Sequence, residues 1–327
     1  MSLLDRLAGL ALRWAEQNVQ LADSPDEIVV KTTRYLRLGM LGLVVGLGAS
    51  VFYEHAQTHP SCWQRSISAY YYTPVQSFFV AALVSIGIGM IVLKGNTEWE
   101  DVLLNIAGCF APLVAFVPTP DIGDCGSVLT DTTNRNLNVA NNVSALLILA
   151  GLVLLFLLYL RLKPAGWPPR ADLPSGQAGT VATIGLGLTV LLYLAAWLVF
   201  LLDRSWFIGH AHTAAAITMF AFIFLVVLDN AINRYFTRRA HGLPAHLLNR
   251  YGWLALAMLL AAVVVGLLGG FGHFAYAVIW IEASLISLFG IFWALQTVEL
   301  WTYGLRTSPP PTSPPPTEQP PAPVSPV

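Results

Sequence analysis

Eight apolar stretches, each close to the length of a membrane-spanning helix, constrain this chain more than any other feature of its sequence. A helix needs about 20 mostly apolar residues to cross the hydrocarbon core of a bilayer. An open sheet is excluded, because unpaired backbone groups are costly in hydrocarbon. The sequence therefore predicts an all-α, polytopic transmembrane helix bundle with eight spans: Tyr35–Tyr53, Pro74–Leu93, Val102–Val117, Val143–Leu160, Val181–Leu202, His210–Leu228, Trp253–Gly270 and Phe274–Leu295.

The composition agrees with a lipid environment. Hydrophobic residues make up 56% of the chain and charged residues 11%, whereas soluble domains carry about 25% charged residues. The formal net charge of -1 argues against a nucleic-acid partner, because no basic surface is available to replace the counterions of phosphates.

Lys and Arg predict the orientation. If the N-terminus is cytoplasmic, 14 of the 17 Lys and Arg residues fall in cytoplasmic segments. Positive residues accumulate on the cytoplasmic side of membrane proteins. We therefore expect both termini in the cytoplasm and the chain in the plasma (inner) membrane of a bacterium, with lipids as its surroundings.

The chain divides into three regions. Residues 1–23 have an amphipathic pattern, typical of a helix in the membrane interface or one packed on cytoplasmic loops. Residues 24–306 form the transmembrane domain, and Ser24-Pro25-Asp26-Glu27 has the pattern of a helix start. Residues 307–327 are proline-rich and predicted to be a disordered cytoplasmic tail, either simply solvated or bound by a proline-reading partner.

Glu282 is the carboxylate that lies well inside a predicted span. A charge there costs about 2.5–3.5 kcal/mol on insertion scales, so we expect a partner, a hydrated cavity or protonation. His212 is predicted at a similar depth, and the two side chains are expected to face one outward-facing polar cavity. The alternative is a protonated Glu282 bonded to a neighbouring helix.

Four further polar residues complete the predicted ligand-binding cavity. Ser68 and Tyr70 belong to the loop from Glu54 to Thr73, which is long enough to fold over a cavity mouth. Its tyrosines could equally form an aromatic belt at the membrane interface. Asp101 and Asn105 supply polar groups near the start of the third span.

Histidines near the predicted outer ends of spans are candidate metal ligands. Neutral imidazole binds zinc and copper well, but the spacing lacks HExxH and HxxxH patterns. Interfacial histidines without a function are the alternative. The candidates are His55, His210, His212 and His273.

Cys62 and Cys125 fall in two different outer loops, whereas Cys109 lies inside the third span. An oxidising exterior permits a disulfide, so we predict a bridge between Cys62 and Cys125.

Several short motifs carry a resemblance to known proteins. They are Ser66–Pro74, Lys94-Gly95, Glu100-Asp101, Ala107-Gly108, Val117-Pro118-Thr119, His212–Ala216, Glu282 and Phe292-Trp293. Together they resemble an uncharacterised group of bacterial, particularly actinobacterial, multi-pass membrane proteins, distantly similar to the DRAM-like and FGF-receptor-activating-protein-like families. The resemblance implies a helical membrane bundle and directs attention to Ser68, Tyr70, Asp101, His212 and Glu282, but implies no reaction. Membrane zinc hydrolases of the ceramidase and adiponectin-receptor type are a remoter comparison, whose paired HxxxH this chain lacks.

Three functions follow as hypotheses. The first is a non-enzymatic bundle that binds or moves a lipid or small solute through the polar cavity. The second is a membrane-embedded metal hydrolase that uses the outer histidines. The third is a structural or assembly protein without a ligand, acting as a homo-oligomer or with a membrane partner.

Overall fold

The computed structural model describes residues 25–58, 61–120, 125, 134–163, 176–272 and 275–302. Within these ranges the chain is all-helical, as predicted, and contains no strand. The predicted amphipathic helix 1–23 and the tail 307–327 lie outside the described residues. The helices are α1 (Pro25–Thr58), α2 (Gln76–Val92), α3 (Glu98–Phe116), α4 (Arg135–Leu162), α5 (Gln177–Leu202), α6 (Arg204–Ala240), α7 (Arg250–Gly272) and α8 (Ala277–Glu299), with a short 3-10 turn at Ser68–Tyr72 between α1 and α2.

Each predicted span overlaps one of these eight helices. Among the described residues, 7 helices are long and apolar enough to cross a membrane. The remaining helix, α2, is apolar and has 17 residues, which is the lower limit of about 17–25 residues for a span. The chain is therefore a multi-pass integral membrane protein. The first helix begins at Pro25, where the sequence predicts a helix start.

Contacts between connecting segments define two ends of the bundle. At the upper end, residues 61–75 meet the chain just after α3 and the first turns of α8. At the lower end, Thr97 and Glu100 meet α6 and the last turns of α8. Helices α2, α6 and α8 therefore run from the upper to the lower end, and α3 runs in the opposite direction.

The helices differ in how much of their surface is buried. In the most apolar window of α3, 56% of the residues are buried, against 11% in α4 and 11% in α5. Inside the bundle, α3 packs against α2 and α6, and α8 packs against α1 and α7. Most apolar side chains of α4 and α5 are therefore available to lipid, which is as apolar as they are.

Two glycines bring α2 and α3 into close contact. A Cβ atom on Gly87 would lie 2.8 Å from the carbonyl oxygen of Gly108, and one on Gly108 would lie 2.6 Å from the carbonyl oxygen of Gly87. No side chain fits at this crossing. The small residues let the two backbones touch, which is a common means of helix association in membranes.

Candidate functional site

Glu282 binds the segment that connects α1 with α2. Its Oε2 accepts hydrogen bonds from the backbone N–H groups of Ile67, at 2.5 Å, and Ser68, at 3.2 Å. Its Oε1 accepts one from the Ser68 hydroxyl at 2.8 Å. All three partners donate, which is the set that an ionised carboxyl requires, since it can only accept. Hydrogen bonds within the protein therefore offset the free-energy cost of placing the Glu282 carboxyl in the bundle.

The start of α8 also donates to the same segment. The backbone N–H of Ile279 lies in the first turn of α8, where N–H groups lack partners inside the helix. It donates to the carbonyl oxygen of Arg65 at 2.9 Å. The connecting segment and α8 thus exchange hydrogen bonds in both directions, and the segment is seated on the helix end.

The connecting segment Gln64–Thr73 is buried rather than spread over the surface. Within it, the side chains of Tyr70 and Tyr72 are each 2% exposed. Two local hydrogen bonds hold its turn: Ala69 N–H donates to the Ser66 hydroxyl at 2.9 Å, and the Thr73 hydroxyl donates to the Tyr70 carbonyl at 2.7 Å. The segment folds into the mouth of the bundle, and these two tyrosines do not form an aromatic belt.

The two buried tyrosines have different environments. The Tyr72 hydroxyl donates to the carbonyl oxygen of Thr119 at 2.6 Å. The Tyr70 hydroxyl approaches the backbone of Gln64 but makes no hydrogen bond of normal geometry with a described residue. Burial raises the pKa of Tyr70, the nearby backbone of Gln64 lowers it by less, and the charge of Glu54 adds to the rise.

The predicted disulfide between Cys62 and Cys125 is confirmed. The two Cα atoms lie 5.7 Å apart, and the bridge joins residues separated by 63 positions. It ties the chain two residues before the connecting segment to the loop that follows α3. Cys109 is free and exposed on α3.

His212 lies at the upper end of α6 and is 4% exposed. Its Nδ1 lies 2.6 Å from the carbonyl oxygen of Val117 and 3.2 Å from that of Val114. Both partners accept, so Nδ1 must carry the hydrogen. The imidazole caps the end of α3, whose last carbonyl groups have no partner inside the helix.

Arg135 continues the capping of the same chain segment, donating to the carbonyl oxygens of Pro118 at 3.2 Å and Thr119 at 3.5 Å. Side chains from α6, from α4 and from the 3-10 turn therefore fix the Val117-Pro118-Thr119 motif. His212 and Glu282 bind different partners, and the sequence-based expectation that they face each other in one cavity is not what their contacts indicate.

A small cavity of about 50 Å³ lies inside the bundle next to Glu282. Ser68 and Glu282 contribute its polar groups, and most of its wall is apolar, including Leu83, Met219 and Phe289. His212 is not among its lining residues. The cavity is more apolar than the polar cavity that the sequence predicts.

A second carboxyl group with internal partners, Glu100, lies at the lower end. Its side chain is 1% exposed. Oε2 accepts from the backbone N–H and the side-chain amide of Asn96, at 2.7 and 2.9 Å. Oε1 accepts from the amides of Asn230, at 2.9 Å, and Gln296, at 2.6 Å. This network joins α3, α6 and α8.

The start of α3 explains how Glu100 reaches this position. Thr97 is the N-cap, and its hydroxyl oxygen accepts from the Glu100 N–H at 2.9 Å. The same hydroxyl donates to Asp229 Oδ2 at 2.7 Å. Thr97 and Glu100 have the Thr-x-x-Glu spacing of a capping box, with the carboxyl turned toward Asn96.

Asp101 and Asn105 do not lie with the other predicted cavity residues. Asp101 accepts from the Gly95 N–H at 3.0 Å and from Lys94 Nζ at 2.7 Å, at the lower end. About 20 Å of α3 separates Asp101 from Val114, which lines the cavity near Glu282, at 1.5 Å per residue. Asn105 follows one turn after Asp101 and is half-buried. The prediction that Asp101 and Asn105 line the same cavity as Glu282 is wrong, because the first turns of α3 lie at the opposite end of the bundle.

Lys94 and Asp101 form an ion pair at the lower end, in the connection between α2 and α3. Burial lowers the pKa of Lys94, but the hydrogen bond and charge of Asp101, together with Glu98, raise it by more. The pKa therefore stands above its ordinary value, and the ammonium group stays protonated beside Asp101.

The candidate metal ligands are dispersed. His55 stacks on Trp63, with ring centroids 3.6 Å apart, and His210 stacks on Trp206 at 4.6 Å. His212 caps α3, and His273, like His59, lies outside the described residues. In the part of the chain that the structure describes, no group of three His, Cys, Asp or Glu side chains is placed to hold a metal ion.

Sequence reasoning missed the Glu100 network. Glu100 lies just before the predicted third span, so its burial did not follow from hydropathy. Two signals could have revealed it: the Thr-x-x-Glu spacing at Thr97, and the amides Asn230 and Gln296 within long apolar helices. Such polar groups tend to bond across helices.

Comparisons with family models, with curated proteins and with solved structures return no match for this chain. The site therefore has to be interpreted from its own geometry. That geometry defines a multi-pass helical membrane protein with a carboxyl-centred hydrogen-bond network at each end.

Proposed function

We propose that this protein binds or moves a small amphipathic solute through its bundle, and that the conformation described here is a closed one. The observation that carries the proposal is the set of hydrogen bonds that Glu282 accepts. All three come from a connecting segment rather than from a membrane-spanning helix. In this proposal the segment Gln64–Thr73 is a gate, and Glu282 is the latch that holds it.

The cavity supports this assignment. Ser68 and Glu282 line it together, so a solute that enters would compete for the same polar groups that hold the gate. Its volume of about 50 Å³ is enough for a few waters, since one water needs about 10–15 Å³ of such volume. A larger occupant would need the segment to move, and the apolar wall favours an apolar body with a single polar group.

The lower network favours a one-sided opening. Glu100 binds amides on α6 and α8, which are long helices of the bundle, so this end is held by the framework itself. We propose that the upper end faces the cell exterior and that both termini are cytoplasmic, as the distribution of Lys and Arg indicates. In this proposal the partners of the bundle are the surrounding lipids. A proline-reading partner for residues 307–327 stays a prediction.

The test measures access to the gate in a Cys109→Ala background, in which the other two cysteines are bridged. Ala69 is 0% exposed within the segment, and Ala69→Cys serves as the reporter. A membrane-impermeant maleimide is added to intact cells. We expect slow labelling with Glu282 present, faster labelling with Glu282→Gln, and the fastest with Glu282→Ala. Glutamine replaces one acceptor oxygen by a donor amide, and alanine removes both acceptors.

Two controls accompany the gate experiment. Ala107→Cys, also 0% exposed but on α3, reports general unfolding and should stay unlabelled in every variant. Labelling of inside-out vesicles tests the orientation separately. If Ala69→Cys is equally protected in all three backgrounds from both sides, the segment is a fixed structural element and the gate proposal fails.

A further inference from the structure

A basic pocket lies at the lower end of the bundle, between the end of α6 and the start of α7. Its volume is about 310 Å³, and it is remote from the cavity beside Glu282. In the part of the chain that the structure describes, three arginines and a histidine contribute to its lining, and no acidic residue does. The lining residues are Arg234, Arg238, Pro244, His246, Leu248, Asn249 and Arg250.

The end of α6 shapes one wall of the pocket. Gly242 has φ +65°, a conformation that glycine adopts without a Cβ penalty. The Gly242 N–H donates to the Arg239 carbonyl at 3.0 Å, and the Leu243 N–H donates to the Arg238 carbonyl at 3.0 Å. This is a Schellman motif, and it turns the chain back along the helix. Arg238 Nε then donates to the Pro244 carbonyl at 2.8 Å.

The start of α7 shapes the other wall. Asn249 is its N-cap: Oδ1 accepts from the Tyr251 N–H at 3.0 Å and from the Gly252 N–H at 3.4 Å. The Asn249 amide donates to the Ala231 carbonyl on α6 at 2.9 Å. A Cβ on Gly252 would lie 2.0 Å from the Leu247 carbonyl oxygen, so only glycine allows this close approach. The pocket walls are thus fixed by backbone geometry.

The pocket carries excess positive charge. Arg234 and Arg250 both form ion pairs with Glu299, which also accepts from the Tyr251 hydroxyl at 2.5 Å. Arg238 adds a third guanidinium beside them. Guanidinium groups stay protonated at all physiological pH values. Because Arg238 is not one of the two arginines that pair with Glu299, its charge favours an anion in the pocket.

Exposed apolar side chains lie near the pocket-lining residues in the chain. Leu248, which lines the pocket, is 52% exposed, and four residues nearby in the chain are more than half exposed as well. Exposed apolar side chains next to a charged pocket suit the boundary between lipid tails and headgroups, where Trp is enriched. The four neighbours are Phe236, Leu243, Leu247 and Trp253.

We infer that this pocket binds the phosphate of an anionic phospholipid headgroup. Guanidinium forks match phosphate oxygens in pairs, and basic pockets between membrane helices are known to hold acidic headgroups. The lipid tails would lie along the exposed leucines. Free phosphate shares the same chemistry but would not contact the exposed apolar side chains, and the experiment separates the two.

The test measures binding of phosphatidylglycerol, fluorescently labelled on its tail, to the purified full chain in detergent. Arg238→Gln is the main variant, because Arg238 is not one of the two arginines paired with Glu299. We expect it to weaken binding about tenfold, the loss typical of one charged hydrogen bond. Arg238→Lys keeps the charge but lacks the forked guanidinium group, so its affinity should lie between those of the unmodified protein and Arg238→Gln.

Arg239→Gln is the matched control. It removes the same charge from the adjacent position, where the Arg239 guanidinium donates to Tyr235 instead of lining the pocket. We expect its effect to stay within about twofold, as for other exposed charges. Equal losses in Arg238→Gln and Arg239→Gln would show diffuse attraction and overturn the site. Equal binding of phosphatidylcholine, or full displacement by inorganic phosphate, would overturn the lipid assignment.

Discussion

Each end of the bundle holds a carboxyl group, Glu100 buried and Glu282 half-buried, and the two groups are bound differently. Glu100 accepts hydrogen bonds from Asn96 and from amide side chains on two long helices. Glu282 accepts all of its hydrogen bonds from one connecting segment. Opening the lower end would require bundle helices to separate, whereas opening the upper end requires only that the segment leave.

The difference shows how the same residue type can have two roles in one fold. A buried donor that loses its acceptor costs free energy unless it reaches water. The amides around Glu100 have no such route, because Asn230 and Gln296 are both 0% exposed. The donors of Ile67 and Ser68 lie in a segment at the mouth of the bundle, so movement of that segment exposes them to water. Local stability should therefore be higher at the lower end.

Removing Glu100 should give the largest effect. Glu100→Ala removes one of the two acceptors of each buried amide, leaving Asn230 only the Val226 carbonyl and Gln296 only the Asn230 side-chain oxygen. Because one N–H of each amide then stays buried without a partner, we expect a loss of about 3 kcal/mol or more of stability. The measurement is the temperature at which half of the purified protein stays monodisperse on size exclusion. Glu98→Gln, in the same helical turn and 3.5 Å from the exposed Lys94 ammonium group, is the control and should change little. Equal tolerance of both substitutions would contradict the role of the lower network.

Breaking the disulfide should come next. The double substitution Cys62→Ser and Cys125→Ser opens a link across 63 positions, and typical disulfides contribute about 2–4 kcal/mol. We expect the loss to appear at the upper end, as faster hydrogen exchange of residues 64–73 with little change around Glu100. Cys109→Ser is the control. Uniformly faster exchange across both ends would mean that the ends are not independent.

Removing Glu282 should cost less than removing Glu100. Glu282→Ala deletes the acceptor of three hydrogen bonds, but their donors can become hydrated, so we expect about 1–2 kcal/mol. Glu282→Gln should cost less still, because its carbonyl can accept from both N–H groups while its amide donates to the Ser68 hydroxyl. Thermal stability measured as for Glu100 tests this order, and a Glu282→Ala loss above that of Glu100→Ala would reverse the comparison.

The smallest effect is expected from the tyrosine pair. Tyr72→Phe removes the hydrogen bond to Thr119 and should cost about 1 kcal/mol. Tyr70→Phe removes a hydroxyl that has no well-formed hydrogen bond to a described residue and should be nearly neutral. Both substitutions delete one oxygen from a side chain that is 2% exposed, so they form a matched pair for thermal unfolding. A larger loss in Tyr70→Phe would indicate a polar partner for Tyr70 beyond those described.

Features that depend on local composition could be predicted from the sequence. The apolar stretches place all eight helices, and the Ser24–Glu27 pattern predicts the start of α1 at Pro25. The Cys62–Cys125 bridge also follows, because the alternation of spans puts both residues in loops on one side. Glu282 stands out for the same reason: a carboxyl in an apolar stretch must find a partner wherever the helix packs.

What the tertiary structure decided is which polar groups meet. Hydropathy indicates whether a segment lies in lipid or in water, but not which other segments it packs against. The sequence therefore predicts His212 and Glu282 in one cavity, although His212 caps α3 and Glu282 binds the connecting segment. For the same reason, the sequence predicts Asp101 and Glu282 in one cavity, although most of the length of α3 separates them. The Glu100 network was also missed. Lipid fixes where helices begin and end through the cost of exposed backbone, while hydrogen bonds between distant residues fix how those helices meet.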